Sequence, residues 1–142
     1  MHSVRFRRAF TLIELLLVMV ILAVLAALVI PRFAGRSEEA REKAALTQIK
    51  SLFGTALDVY EADNGTYPST AQGLDALRVQ PSSAPEPKHW KGPYLKGDVP
   101  LDPWGNPYAY RSPGNMNATG YDLSSSGPDG REGTEDDITN WN

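Results

Sequence analysis

The chain has 142 residues, a net charge of −3 and no cysteine. That length allows one small domain beside any membrane segment, and the missing cysteines exclude disulfide stapling, so a small exported domain needs another device. Residues 10–142 hold 11 basic and 17 acidic side chains, a net charge of −6, which excludes the basic face that phosphate backbones require and argues against a nucleic-acid partner.

Residues 1–9 are short and basic, with Arg5, Arg7 and Arg8. Arginines ahead of an apolar run fit the positive-inside rule, with the N-terminus cytoplasmic and the rest of the chain across the membrane. The run Phe10–Ile30 follows, 21 residues with Glu14 as its one charge. As a helix it is about 31 Å long, close to the hydrocarbon thickness of a bilayer. It is apolar on every side, so it is no amphipathic surface helix. An ordinary secretory signal peptide is the competing reading, with Val24-Leu25-Ala26 as a small-residue cleavage site. Glu14 and the length of the run favour an uncleaved anchor or a specially processed segment. A carboxylate within such a run costs up to about 2.5–3.5 kcal/mol at a helix centre. Glu14 therefore asks for a partner, or else snorkels or stays protonated.

Pro31 is expected to remove one helical hydrogen bond and to kink or loosen the turn before it. Beyond it, Glu38–Arg41 and Glu39–Lys43 are spaced as i,i+3 and i,i+4 ion pairs. A solvated helix face is the plain reading, and inter-subunit ion pairing along a filament is the sharper one that spacing does not separate from it. Ile49, Leu52, Phe53, Ala56, Leu57 and Tyr60 recur at helical spacing and form a core-facing stripe. Asn64-Gly65 supplies a left-handed stop. Helix is thus expected from Phe10 to Asp63.

Ser69 and Gln72 read as a capping box opening a short helix to about Arg78. A proline-rich loop, Gln80–Lys96, follows, with Trp90 and Tyr94 as its core anchors. His89 lies in it alone, with no nucleophile beside it. Asp102-Pro103-Trp104-Gly105-Asn106-Pro107-Tyr108 is turn chemistry. Short strands are expected near Tyr108–Ser112 and Gly120–Ser124, joined by a loop over 113–119. No Ser/His/Asp or Cys/His constellation, phosphate loop or zinc spacing is present, so no enzyme is expected.

The tail, Ser124–Trp141, holds five carboxylates and three glycines. Calcium takes about 6–8 oxygens from carboxylates and carbonyls of flexible loops. The spacing is not that of an EF-hand. On the residues alone a calcium loop and an acidic solvated loop are both open.

Arg-Arg-Ala-Phe-Thr-Leu-Ile-Glu before a long apolar run resembles the leader of type IV pilins and pseudopilins. Tyr-Pro-Ser-Thr-x-Gln-Gly-Leu, Gly-Pro-Tyr-Leu and Asp-Pro-Trp-Gly-Asn-Pro-Tyr, in that order, resemble the major pseudopilins of type II secretion systems. The resemblance spans nearly all of the chain after the leader. It implies an α+β, type IV pilin-like fold: a long N-terminal helix spine, membrane-spanning in its first half, packed on a small C-terminal antiparallel sheet with a calcium loop. The implied divisions are a leader (1–9) removed by prepilin peptidase, a transmembrane and filament-core helix (10–30) and a periplasmic globular domain (31–142).

The resemblance further implies cleavage between Ala9 and Phe10, with N-methylation of Phe10. Family members commonly have Gly where Ala9 stands. Glu14, fifth residue of the mature chain, then pairs with the new α-amine of a neighbouring subunit. Calcium would be held by Asp129, Asp136 and Asp137. Backbone oxygens of Ser126 and Arg131, and an oxygen of Thr134, would complete the set. Ser126 stands where the family often has Leu, which should spare a backbone ligand. Such a metal would replace the disulfide of many type IV pilins.

The function implied is that of the structural major subunit of a helical homopolymer. It would be extracted from the inner membrane to drive export of folded proteins across the outer membrane. Implied partners are the prepilin peptidase, minor pseudopilins at the tip, and an inner-membrane assembly platform with a separate ATPase. A type IV or competence pilin is the nearer alternative, opposed by the missing cysteine pair and the acidic tail. A membrane-anchored periplasmic calcium-binding protein that does not polymerise is the other.

Overall fold

The computed structural model describes residues 10–142, without the side chains of residues 29–34. The leader, Ala9 included, lies outside the described residues. The chain divides after Ser37: the described residues up to there form one unit, and Glu38–Asn142 form the other.

Helix α1 spans Leu12–Thr47 and runs through residue 31 without a break. The Thr11 hydroxyl accepts the Glu14 N–H at 3.3 Å, an N-cap bond that takes up one of the orphan donors of the first turn. A π-helical turn, Gln48–Phe53, follows, and then α2, Gly54–Asn64. The helix stops as expected: Gly65 is left-handed at φ 80°, and its N–H bonds the Glu61 carbonyl at 2.7 Å.

The buried helical stripe gains Ala45 and loses Leu52 relative to the expected one. Ala45, Ile49, Phe53, Ala56, Leu57 and Tyr60 are buried, but Leu52 is 42% exposed. Residues four apart drift by about 40° per step on an ordinary α-helix. The wider π turn keeps Ala45, Ile49, Phe53 and Leu57 in line and turns Leu52 outward.

The capping box forms but opens no α-helix. The Ser69 N–H bonds Gln72 Oε1 at 2.9 Å, and the Gln72 N–H bonds Ser69 Oγ at 3.3 Å. Gly73 then takes φ 61°, and only a 3₁₀ turn, Leu74–Leu77, follows. That φ carries little penalty for glycine and breaks helical propagation one turn after the cap. Trp90 and Tyr94 anchor the proline-rich loop. Trp90 Nε1–H donates to the Ala76 carbonyl at 3.0 Å. The Tyr94 hydroxyl donates to Asp63 Oδ2 at 3.0 Å, and its ring packs edge-on against Tyr60.

The sheet has three antiparallel strands in sequential order: β1 (Ala109–Arg111), β2 (Asp122–Ser125) and β3 (Ile138–Thr139). Ala109 pairs with Ser124, Tyr110 with Leu123 and Arg111 with Asp122. Ser124 pairs with Thr139 and Ser125 with Ile138. The two expected strands form within about two residues of their expected bounds, and β3 is additional. Leu123 joins Ile49, Phe53, Leu57, Tyr60 and Leu77 in one buried core. All four residues of β2 are buried, so its polar side chains need internal partners.

Asp122 finds them in the loop it follows. Its carboxylate accepts the N–H groups of Asn115 at 2.6 Å, Met116 at 2.9 Å and Asn117 at 2.9 Å. Burial by itself would push this carboxyl up; the three amides, helped by Arg111, hold it below the usual carboxylate range.

Candidate functional site

Two regions carry the residues singled out from the sequence. The first is the start of α1. Phe10 is 76% exposed, and Glu14 is exposed one turn into the helix. Every large apolar side chain between Leu12 and Leu28 is exposed as well. Among the described residues, no helix is long and apolar enough to cross a membrane.

The second region is the loop between β2 and β3. It leaves the sheet at Ser125 and returns at Ile138. The Asp129 N–H bonds Asp136 Oδ2 at 3.1 Å. Asp129 Oδ1 accepts the Arg131 N–H at 2.8 Å. Asp137 Oδ2 accepts the Gly133 N–H at 2.7 Å.

Four oxygens converge on the Thr134 hydroxyl: Asp136 Oδ1 at 2.6 Å, the Arg131 carbonyl at 3.1 Å, Asp137 Oδ1 at 3.3 Å and Asp129 Oδ1 at 3.4 Å. A hydroxyl has one proton to donate. The other oxygens face Thr134 Oγ1 lone pair to lone pair, an arrangement that excess negative charge disfavours and a hard cation relieves. The Thr134 bond, against some desolvation, and then the Asp129 amide hold the Asp136 carboxyl below the usual range.

The structure therefore brings Asp129, Asp136, Asp137, Thr134 and the Arg131 carbonyl to one place. Ser126 is buried and makes none of these contacts. Among the described residues, no group of three or more Asp, Glu, His or Cys side chains is placed to hold a metal ion. The groups gathered at Thr134 are carboxylate, carbonyl and hydroxyl oxygens, the donor type of calcium or magnesium and not of a soft thiolate-seeking metal.

Gly127 fits the loop against Asp136. It has φ 63°, and a Cβ there would stand 2.3 Å from the Asp136 carbonyl oxygen. Only glycine satisfies both the backbone angle and the approach. Two further residues border the loop: Asp102, read from the sequence only as turn chemistry, and Ser125, read only as part of the tail. Asp102 is buried and accepts the N–H groups of Trp104 at 3.0 Å and Asn106 at 2.8 Å. Ser125 Oγ–H donates to Asp102 Oδ2 at 2.6 Å. The only signal for Asp102 in the sequence is the tendency of Asp to cap a following turn through its own side chain.

The chain matches the family model described as type II secretion system (T2SS), protein G, over residues 32–141. It matches the prokaryotic N-terminal methylation motif over residues 4–30. It is 49% identical over 141 residues to the type II secretion system core protein G of Pseudomonas aeruginosa, covering 96% of each chain. It is 48% identical over 139 residues to that of Aeromonas hydrophila, covering 97% of this chain and 94% of the relative. In structure it resembles the crystal structure of the major pseudopilin from the type 2 secretion system of enterohaemorrhagic Escherichia coli. The TM-score is 0.68 at 38% identity, over 75% of this chain and 87% of that one. A helix-led α+β fold with a small antiparallel sheet, a methylation leader and a match through residue 141 agree with one another: the chain belongs to the protein G family of type II secretion systems, the family of major pseudopilins.

Proposed function

We propose that the protein is the polymerising structural subunit of the type II secretion pseudopilus, and not an enzyme. The observation that carries this reading is the uncovered apolar surface of α1, where every large apolar side chain from Leu12 to Leu28 is exposed. A surface of that kind is stable only in lipid or against other apolar helices. Both settings belong to the proposed life of the subunit. It is held in the inner membrane by residues 10–30, with the globular domain periplasmic, and then moves into the core of a helical homopolymer.

Prepilin peptidase would cut between Ala9 and Phe10 and methylate Phe10. The new ammonium of an incoming subunit would meet the Glu14 carboxylate of a neighbour. Pairing removes two charges that are costly in an apolar setting, so it rewards one register. Minor pseudopilins at the tip and an assembly platform with its own ATPase complete the machine.

The acidic loop is proposed as a calcium site. Asp129, Asp136 and Asp137 would supply carboxylates, with Thr134 and the Arg131 carbonyl beside them and the Ser126 carbonyl as a further candidate. The support is the convergence of oxygens on Thr134 Oγ1. Bound calcium would neutralise that charge and close the loop in a chain with no disulfide. Mass spectrometry of membrane-extracted protein tests the reading as a whole. A mature chain starting at methylated Phe10, recovered in filaments, is expected. A chain that keeps Met1 and stays monomeric in the membrane would be an anchored calcium-binding protein instead.

A further inference from the structure

The acidic loop does not stand on its own residues. Asp102 Oδ1 holds the Trp104 and Asn106 amides, and the Asp102 N–H bonds the Asn106 carbonyl at 2.8 Å. These bonds fix the turn Asp102–Asn106. The second carboxylate oxygen is left for one partner, the Ser125 hydroxyl at 2.6 Å. Ser125 is fully buried. Its Oγ in turn accepts the N–H of Gly127 at 3.2 Å. Gly127 is the residue pressed against the Asp136 backbone, with no room for a side chain.

The chain of contacts is therefore Asp102, Ser125, Gly127, Asp136. The same turn and loop also approach at Gly130, where an added Cβ would come to 3.4 Å from Asn106 Nδ2. Both approaches cross from a turn more than twenty positions away in sequence. Neither touches the oxygens that converge on Thr134.

We propose that Asp102 and Ser125 are positioning residues for the cation loop. They hold Gly127 against Asp136 and so keep Asp129, Asp136 and Asp137 in a calcium-competent arrangement. The proposal rests on the calcium reading above. Buried hydrogen-bonded pairs of this kind orient ligands without touching the metal, and losing one typically costs about 10–100-fold in affinity. A carboxylate is well suited to the place: it accepts the two turn amides on one oxygen and the hydroxyl on the other. The hydroxyl then has its own lone pairs free for Gly127.

The test uses the full chain in detergent, titrated with calcium chloride by calorimetry, alongside its melting temperature in EGTA. Ser125→Ala keeps both amide bonds of the Asp102 turn and cuts the hydroxyl's two links, to Gly127 and to Asp102 Oδ2. It should bind calcium roughly tenfold or more weakly, beyond the drop in metal-free melting that the orphaned Asp102 oxygen brings. Asp102→Ala should lose affinity in the same way. Wild-type affinity in both Ser125→Ala and Asp102→Ala would overturn the positioning role and leave the calcium reading standing. A wild-type chain that takes up no calcium would overturn both.

Discussion

Trp104 Nε1–H donates to Glu38 Oε2 at 3.0 Å. The two residues lie 66 positions apart, and the bond ties the Asp102–Asn106 turn to the first residue of the second unit. Glu38 also keeps its local partner, Arg41, at 3.1 Å through its other oxygen. One carboxylate thus serves the i,i+3 pair expected from spacing and a tertiary bond that no spacing rule foresees. Trp104→Phe and Glu38→Ala should each lower stability, and a double-mutant cycle should find a coupling of about 1 kcal/mol. Chemical denaturation measures it; additive effects would show that the bond contributes nothing.

The π turn makes a second prediction. Phe53 is fully buried while its neighbour Leu52 is 42% exposed. Phe53→Ala should cost about 3–5 kcal/mol, whereas Leu52→Ala should stay within about 0.5 kcal/mol. Equal losses in urea unfolding would restore the ordinary helical stripe and remove the π turn.

Asp122 predicts a pH dependence. Its carboxyl is held below its ordinary range in the fold by three amides, against the effect of burial. A depressed carboxylate stabilises the fold fully above its unfolded pKa, near 3.9. The contribution fades as pH falls from there through the folded value. Asp122→Ala should therefore be less stable than wild type at pH 6, and the gap should narrow below about pH 4. Denaturation curves in EGTA across that range are the measurement, and a gap constant with pH would show that the amide bonds do not favour the charged form.

Glu14 predicts a defect in assembly without a defect in insertion. Glu14→Val should leave a cleaved, membrane-held subunit that yields few filaments and little secretion, because each incoming Phe10 ammonium would be left unpaired. Filament yield in cells carrying the variant is the readout. Wild-type yield would show that the amine and carboxylate do not need each other.

Calcium removal should loosen the acidic loop. Binding to the folded state alone contributes about 2.7 kcal/mol at a hundredfold excess over Kd. That corresponds to a melting shift on the order of 10 °C for a domain of this size. EGTA should lower the melting temperature, calcium should restore it, and magnesium, which demands a tighter octahedral shell, should restore it poorly. Asp136→Ala or Asp137→Ala should abolish the response. A calcium-replete chain indifferent to EGTA would make the tail an acidic solvated loop.

What the sequence determined by itself lies where the physics is local. The apolar run with Glu14 inside it, the Glu38–Arg41 and Glu39–Lys43 pairs, the stop at Gly65 and the Ser69–Gln72 box each depend on residues within a turn or two of one another. The acidic tail was legible as an oxygen-rich segment for the same reason. Tertiary structure decided the rest. Leu52 lies outside the core because a π turn replaces the α-helix over Gln48–Phe53, which ordinary helical spacing does not contain. The Ser69 box opened no helix because Gly73 leaves the helical region. Thr134 became the meeting point of four oxygens, and Asp102 and Ser125 the support of the loop beside it, because β2 pairs with β3 and folds the tail back beneath the Asp102 turn. A hydrogen bond between residues 23 apart, such as that from Ser125 to Asp102, is set by which surfaces bury each other, and burial is a property of the whole fold.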